Sequence, residues 1–578
     1  MHQQGRLDQA AALYAEVLQA QPRHFDALQL LATIAAQQTN YAASVELFDR
    51  ALKINPDHAS SLYNRGVALQ NLKRFDDAVA SYDRALRFKP DYAEALNNRG
   101  VALRYLKRYV EAVECYGRAL RIKPDCDFLY GTWLFARMQM CAWTDMQNDI
   151  AALVAKVSRG AKSSPPFPLL ALSGAPALQR MAAEVWMQSK HPPNHALLPL
   201  PVRAKRGKIR IGYFSTDFRT HPVALLTAEL FEMHDRSRFE LTAFSLGPDT
   251  QDDVRKRIEA AFERFIDVRT RSDIEVATLA RSLEIDIAVD LGGFTEDGRA
   301  GIFALRAAPL QVSYIGYLGT MGAPYIDYLI ADPTLIPDAY RKHYAEKIVY
   351  LPSYQVNDSR RRIADRVFTR EELGLPATGF VFCCFNNTYK ITPATFDTWM
   401  RILGQVEGSV LLLYADNELA ATNLMKEAAL RGVDAGRLVF GKRLAVPEYL
   451  ARYRTADLFL DTLPYNAGTT ASDALWAGLP VLTCMGEAFA SRMAASLLNA
   501  IDLPELITAT QDEYAARAIE LATHPDRLRH IRHKLEKNRL TTPLFDTPRF
   551  TRHLEAAYTA MHERYQAGLP PDHVHVRP

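Results

Sequence analysis

Proline recurs every 34 residues at the front of this chain, at Pro22, Pro56, Pro90 and Pro124. A fixed period of that length constrains the fold more than any bulk property. Each unit must be one supersecondary element that cannot bury its apolar face alone and so stacks on its neighbours. Other positions keep the same step: Gly66 with Gly100, Ala78 with Ala112, Tyr82 with Tyr116, Ala85 with Ala119, and the aromatics Tyr41, Phe75 and Tyr109. Small residues let two antiparallel helices approach closely, aromatics fill the space between them, and proline ends the second helix.

This pattern resembles the tetratricopeptide repeat. Residues 25–58, 59–92 and 93–126 read as whole repeats, and residues 1–24 as the second half of one, with Leu7, Ala10, Tyr14 and Pro22 in the expected slots. Residues 1–126 are therefore assigned to the repeats. From 127 to about 191 helical spacing continues while the period fades, which predicts further hairpins packed on the end of the stack. The Pro-rich stretch from His191 ends in Lys205, Arg206 and Lys208, read as a solvated linker, so 127–204 is set apart as degenerate helices and linker.

Beyond the linker the rhythm changes to short apolar strands alternating with helices. Lys208–Ser215, Phe239–Leu246, Ile285–Gly293 and Leu310–Gly316 form one series; Phe380–Asn387, Val410–Asp416, Arg437–Lys442, Asp457–Thr462 and Pro480–Gly486 form a second. Alternation of this kind implies parallel, doubly wound sheets. The expectation is two Rossmann-like α/β domains, 205–370 and 371–578, with a cleft between them and a last helix near Arg549–Tyr565 that could cross back. Ligands bind at the carboxyl ends of strands in such sheets. The 69 basic and 66 acidic residues leave a net charge of +3, too even for a general nucleic-acid binder. Six cysteines without a CxxC pair fit reduced thiols and a cytoplasmic setting, and no apolar run is long enough to span a membrane.

Motifs for other chemistries fail on inspection. Gly436-x4-Gly441-Lys442 is followed by Arg443 instead of Ser or Thr and reads as a strand, so it is not a phosphate loop. No HExxH, CxxC or acidic cluster suggests a metal, and none is expected. Asp457–Thr462 instead runs into LPYNAGTTASDALWAG, where Gly468 offers a tight turn and Thr469 and Thr470 open a helix. A helix N-terminus suits a diphosphate, although Thr there is also an ordinary N-cap. Asp473 sits one turn in, within reach of a ribose or hydroxyl. Asn387 and Lys390 follow the first strand of the same half, where a lysine can neutralise a diphosphate leaving group. In the first half, His221 in STDFRTHPV lies past the opening strand, as a structural histidine or as an acid/base or orienting group.

STDFRTHPV, GRAGIFALRAAPLQVSYIGYLGTMGAPYIDY, FNNTYKITP, DTLPYNAGTTASDALWAGLPVLT and GEAFASRMAAS resemble the catalytic region of the O-GlcNAc transferase and SPINDLY family over roughly residues 208–565. The resemblance implies a GT-B fold. It places the donor in the second α/β domain, with Lys390 on the diphosphate, Asn387 nearby, Thr469, Thr470 and Asp473 on phosphate and ribose, and Tyr449 and Arg452 near the base. His221 matches a histidine near donor and acceptor. Asn64 and Asn98, one repeat apart, match a ladder that grips acceptor backbone; as residues alone they are equally solvated helix-surface asparagines. Asp286, Tyr449 and Gly468 stand where the animal enzymes carry histidines.

The function this implies is inverting, metal-independent transfer from UDP-GlcNAc to Ser or Thr of proteins presented by the repeats, with no nucleic-acid or membrane partner. The alternatives are a SPINDLY-like fucosyltransferase using GDP-fucose and a catalytically weak repeat scaffold that binds nucleotide.

Overall fold

A computed structural model describes residues 6–201 and 206–577. Lys205 and the boundary expected at 204/205 lie outside these residues. Arg206, expected to be merely solvated, donates to Glu284 at 2.6 Å.

The chain divides into two compact units, the first running to Gln139 and including Lys162–Ser164. This first unit is a run of antiparallel helix pairs: Phe25–Gln37 with Tyr41–Leu52, Ala59–Asn71 with Phe75–Phe88, and Ala93–Tyr105 with Tyr109–Ile122, preceded by the lone helix Leu7–Ala20. The repeated step has a steric cause. A Cβ on Gly66 would lie 2.5 Å from Tyr82 Cε1, and one on Gly100 2.4 Å from Tyr116 Cε1. Only glycine lets the buried tyrosine of the second helix seat against the first. One continuous core runs from Val45 through Leu69, Tyr82, Leu103 and Tyr116 to Leu129 and Ala136. Arg65 and Arg99, again 34 apart, donate to Asp49 and Asp83 of the preceding helix at 2.6 and 2.7 Å.

The reading that all of 127–191 extends the repeats is corrected. Helix Leu129–Gln139 belongs to the first unit, where the N–H of Gly131 bonds the carbonyl of Ser163 at 2.8 Å. Helices Met146–Ser158, Pro166–Leu172 and Pro176–Lys190 belong to the second. The physical reason is in their partners: Gly322, at φ +64°, packs on the backbone of Ala183 and Glu184, and Tyr325 Oη donates to the His191 carbonyl at 2.8 Å.

The second unit holds two all-parallel sheets. In chain order the strands are β1 (Ile209–Ser215), β2 (Phe239–Ser245), β3 (Arg264–Asp267), β4 (Ile287–Asp290), β5 (Leu310–Ser313), β6 (Tyr328–Ala331), β7 (Lys347–Tyr350), β8 (Val381–Cys384), β9 (Val410–Tyr414), β10 (Leu438–Gly441), β11 (Leu458–Leu460), β12 (Val481–Cys484), β13 (Ile507–Thr508) and β14 (Val574–His575). The first sheet has the order β14-β7-β6-β5-β4-β1-β2-β3, the second β10-β9-β8-β11-β12-β13. Strands β4, β5, β8, β9 and β12 are almost wholly buried runs, as parallel strands covered on both faces require.

The last helix does cross back. Helix Thr547–Gln566 packs on Pro222–Met233, where Glu555 accepts from the Asp235 N–H at 2.7 Å and Tyr558 Oη lies 3.1 Å from Tyr213 Oη. Strand β14 then adds an edge to the first sheet, a return that the sequence pattern does not reveal. At the start of that last helix Thr547 Oγ1 donates to Glu229 of helix Pro222–Met233, which also accepts from Ser359 N, both at 2.7 Å. All six cysteines are free thiols. Among the described residues no helix is long and apolar enough to cross a membrane.

Candidate nucleotide-sugar site

Strands β8 and β11 are parallel neighbours, so the loops leaving their carboxyl ends converge. The first loop carries Asn386 and Asn387 into a 3-10 turn, Thr388–Lys390; the second runs from Asp461 to helix Thr469–Trp476. Lys390 is 9% exposed. Its Nζ donates to the Asn466 carbonyl at 3.0 Å and stands 3.8 Å from the centroid of the Tyr465 ring. An ammonium over an aromatic face is attracted by the ring quadrupole. Burial pulls its pKa down to about 8, against the opposing field of Asp461. Lys390 is thus a desolvated cation with one carbonyl partner and donors to spare.

Asp461 is buried and accepts from Thr462 N and Ala467 N at 2.7 Å, from Asn386 Nδ2 at 3.3 Å and from Thr483 Oγ1 at 2.7 Å. Burial pushes its pKa up to about 6, with those bonds and Lys390 pulling the other way. The sequence reading missed Asp461, Asn386 and Tyr465. A carboxylate one residue beyond a buried strand was the available signal for the first.

Thr469, Thr470 and Gly468 are half-buried, so the helix N-terminus is reachable. The hydroxyls are not equivalent. Thr470 Oγ1 donates to Asn386 Oδ1, which ties the first turn of the helix to the loop after β8. Gly468 has φ −104°, so the turn makes no use of a left-handed backbone; the Asp461 carboxylate organises it instead. Asp473 is buried and pairs with Arg361 Nη1. Burial nonetheless raises its pKa. Arg361 Nη2 is buried without a partner.

Tyr449 Oη lies 2.5 Å from Tyr453 Oη, which donates to the Thr470 carbonyl at 3.1 Å. Arg452 is 1% exposed, donates to the Lys442 carbonyl at 2.7 Å and stacks 4.2 Å from the Phe385 centroid. It holds the wall formed by residues 441–442 and 385. Asn387 is exposed at the rim, with Nδ2 3.4 Å from Tyr389 Oη. The structure therefore gathers Lys390, Thr469, Thr470, Asp473, Tyr449 and Arg452 around the carboxyl ends of β8 and β11.

His221 stands in the other α/β half, past β1, capping helix Pro222–Met233. Its Nδ1 accepts from Val223 N at 3.4 Å and lies 3.5 Å from Asp217 Oδ2. Burial lowers its pKa more than Asp217 raises it. The Val223 N–H and the Asp217 carboxylate both approach Nδ1, which fixes the ring's orientation at the end of β1. Asp286 is at the amino end of β4, where it accepts from Arg210 N at 2.9 Å, remote from the carboxyl edge. In the first unit, Asn64 and Asn98 are half-buried on equivalent helices, and Asn98 Nδ2 donates to Tyr63 Oη at 3.1 Å. Among the described residues no three His, Cys, Asp or Glu side chains converge as a metal-ligand set.

The glycosyl transferase family 41 pattern matches residues 187–366 and 355–554, so it takes in both halves of this site. The chain belongs to glycosyl transferase family 41. Tetratricopeptide repeats match residues 3–59, 59–92 and 93–126. The chain is 34% identical over 459 residues to the probable UDP-N-acetylglucosamine–peptide N-acetylglucosaminyltransferase SEC of Arabidopsis thaliana, covering 76% of this chain and 47% of that protein. It is 32% identical over 375 residues to the protein named SPINDLY of Hordeum vulgare, covering 62% and 39%. The chain spans less than half the length of these curated relatives. A variant of the O-GlcNAc transferase of Thermobaculum terrenum superposes with a TM-score of 0.68 at 28% identity, covering 94% of this chain and 98% of that one. The resemblance read from the motifs is borne out at family level.

Proposed function

We propose that this family 41 chain transfers N-acetylglucosamine from UDP-GlcNAc to Ser or Thr hydroxyls of proteins, with inversion and without a bound metal. The observation that carries the reading is the buried Lys390 ammonium set beside the reachable N-terminus of helix Thr469–Trp476. Together they form a fixed positive site of the kind a departing nucleoside diphosphate needs. The names of the SEC relative and of the Thermobaculum neighbour supply the sugar and the peptide acceptor.

In the proposed step the acceptor oxygen bonds the anomeric carbon as the bond from that carbon to the diphosphate oxygen breaks. UDP leaves with the electron pair, and the hydroxyl proton passes to a phosphate oxygen of the donor. Lys390 and the helix N–H groups meet the growing charge, His221 acts as an orienting group, and Arg361 holds Asp473 in place. Positioning accounts for much of the acceleration, so no strong base is required. The repeats bind acceptor proteins through the face carrying Asn64 and Asn98.

The test is calorimetric binding and turnover with UDP-GlcNAc and GDP-fucose, each with EDTA or Mg2+. Transfer from UDP-GlcNAc in EDTA supports the reading. Preference for GDP-fucose points to the SPINDLY-like alternative, a metal requirement removes the leaving-group role of Lys390, and binding without transfer leaves a nucleotide-binding scaffold.

A further inference from the structure

We infer that Asp461 is the positioning residue for Lys390, folding the 462–467 loop into the cradle of its ammonium and supplying the charge that balances it. The inference deepens the reading of Lys390 as the leaving-group cation and rests on it for its catalytic meaning.

The geometry begins with Oδ1, which accepts the N–H groups of both Thr462 and Ala467 and so closes the intervening loop on itself. That loop supplies both contacts of the ammonium, the Tyr465 ring and the Asn466 carbonyl. It is braced from within, since Thr462 Oγ1 donates to the Tyr465 carbonyl and Asn466 Nδ2 to the Thr462 carbonyl, each at 2.7 Å. The same carboxylate ties the ends of three adjacent strands: Asn386 follows β8, Asp461 follows β11 and Thr483 lies in β12. Asn386 passes the arrangement on to Thr470. One buried charge thereby sets the lysine cradle and the first turn of the helix together.

The charge matters because Lys390 bonds a carbonyl directly and meets a carboxylate only through space. The other titratable groups facing the pair are neutral near pH 7. Burial pushes up the thiols of Cys384 and Cys484 and the phenols of Tyr389, Tyr465 and Tyr514, the last of which donates to the Asp461 carbonyl at 3.0 Å. A buried cation stripped of its balancing anion gives up its proton more readily. Asp461→Asn isolates this effect. The amide oxygen keeps the bonds from Thr462 and Ala467, and the amide N–H turns to Thr483 Oγ1, which can accept. The loop stays while the charge goes.

The experiment uses the full chain labelled with 13Cε-lysine, the Lys390 resonance being the one lost in Lys390→Met. In the unaltered protein it titrates near 8. In a folded Asp461→Asn variant, checked by melting temperature, the midpoint falls by at least about one pH unit, and the alkaline limb of kcat/KM moves down with it while the acid limb disappears. An unchanged Lys390 midpoint in that folded variant overturns the inference. A shifted midpoint in a protein that transfers no sugar upholds the pairing and removes the proposed function, so the two failures are told apart.

Discussion

Lys390 is held by a ring face and one carbonyl in a dry site, and this predicts how its replacements behave. Lys390→Ala loses a charge whose interaction grows as the glycosidic bond breaks, so kcat falls about a hundredfold, equivalent to roughly 3 kcal/mol. UDP affinity falls only slightly, because the N–H groups of helix Thr469–Trp476 remain. Lys390→Arg restores little, since a planar guanidinium does not fit between Tyr465 and the Asn466 carbonyl as a compact ammonium does. Near-normal kcat in a folded Ala variant removes Lys390 from the mechanism. The pH profile follows from the same pair. The active form has Asp461 ionised and Lys390 protonated, so kcat/KM rises as pH climbs through about 6 and falls as it passes about 8. Because the two groups interact, these limbs belong to the pair. A profile flat from pH 5 to 9 excludes the assignment.

At the scale of elements, the repeats 59–92 and 93–126 each depend on one glycine meeting one tyrosine. Gly100→Ala forces a Cβ into the buried Tyr116 ring, 2.4 Å from Cε1. Overpacking of this kind costs roughly 1–3 kcal/mol, read as a lower melting temperature of the repeat unit, and Tyr116→Leu in the same chain relieves part of it. The strand ends follow a comparable logic. β8 and β11 place their loops together because they are parallel neighbours, and that adjacency creates the site. The repeat was legible because its period is printed in the residues themselves. The adjacency of β8 and β11, 76 residues apart in the hydrogen bond from Lys390 to Asn466, leaves no local trace. The same holds for β14 joining β7 and for helices 146–190 siding with the second unit.

For the molecule as a whole, the division into two units sets the proposed donor residues apart from the proposed acceptor residues. Every donor-side residue proposed above lies in the second unit, and Asn64 and Asn98 lie in the first. Replacing both asparagines by Ala removes the two amides proposed to read acceptor backbone, each hydrogen bond contributing about 0.5–1.5 kcal/mol. The KM for whole-protein acceptors then rises about tenfold, while UDP-GlcNAc hydrolysis is unchanged. Equal KM values for the double variant and the parent protein remove the docking role.

By itself the sequence determined the elements and their class: helix pairs from the 34-residue period, parallel sheets from buried strands alternating with helices, and the family from contiguous motifs around His221, Lys390 and Thr469. Such signals are local, written in spacing and residue type. Tertiary structure alone decided what each candidate is free to do. Thr470 bonds Asn386, Asp473 pairs with Arg361 and Arg452 bonds Lys442, while Asp286 faces the wrong end of its strand. The role of Asp461 was invisible for the same reason. A buried carboxylate takes its meaning from the charge it faces and the N–H groups it receives, and those come from segments that only the packed sheet brings together.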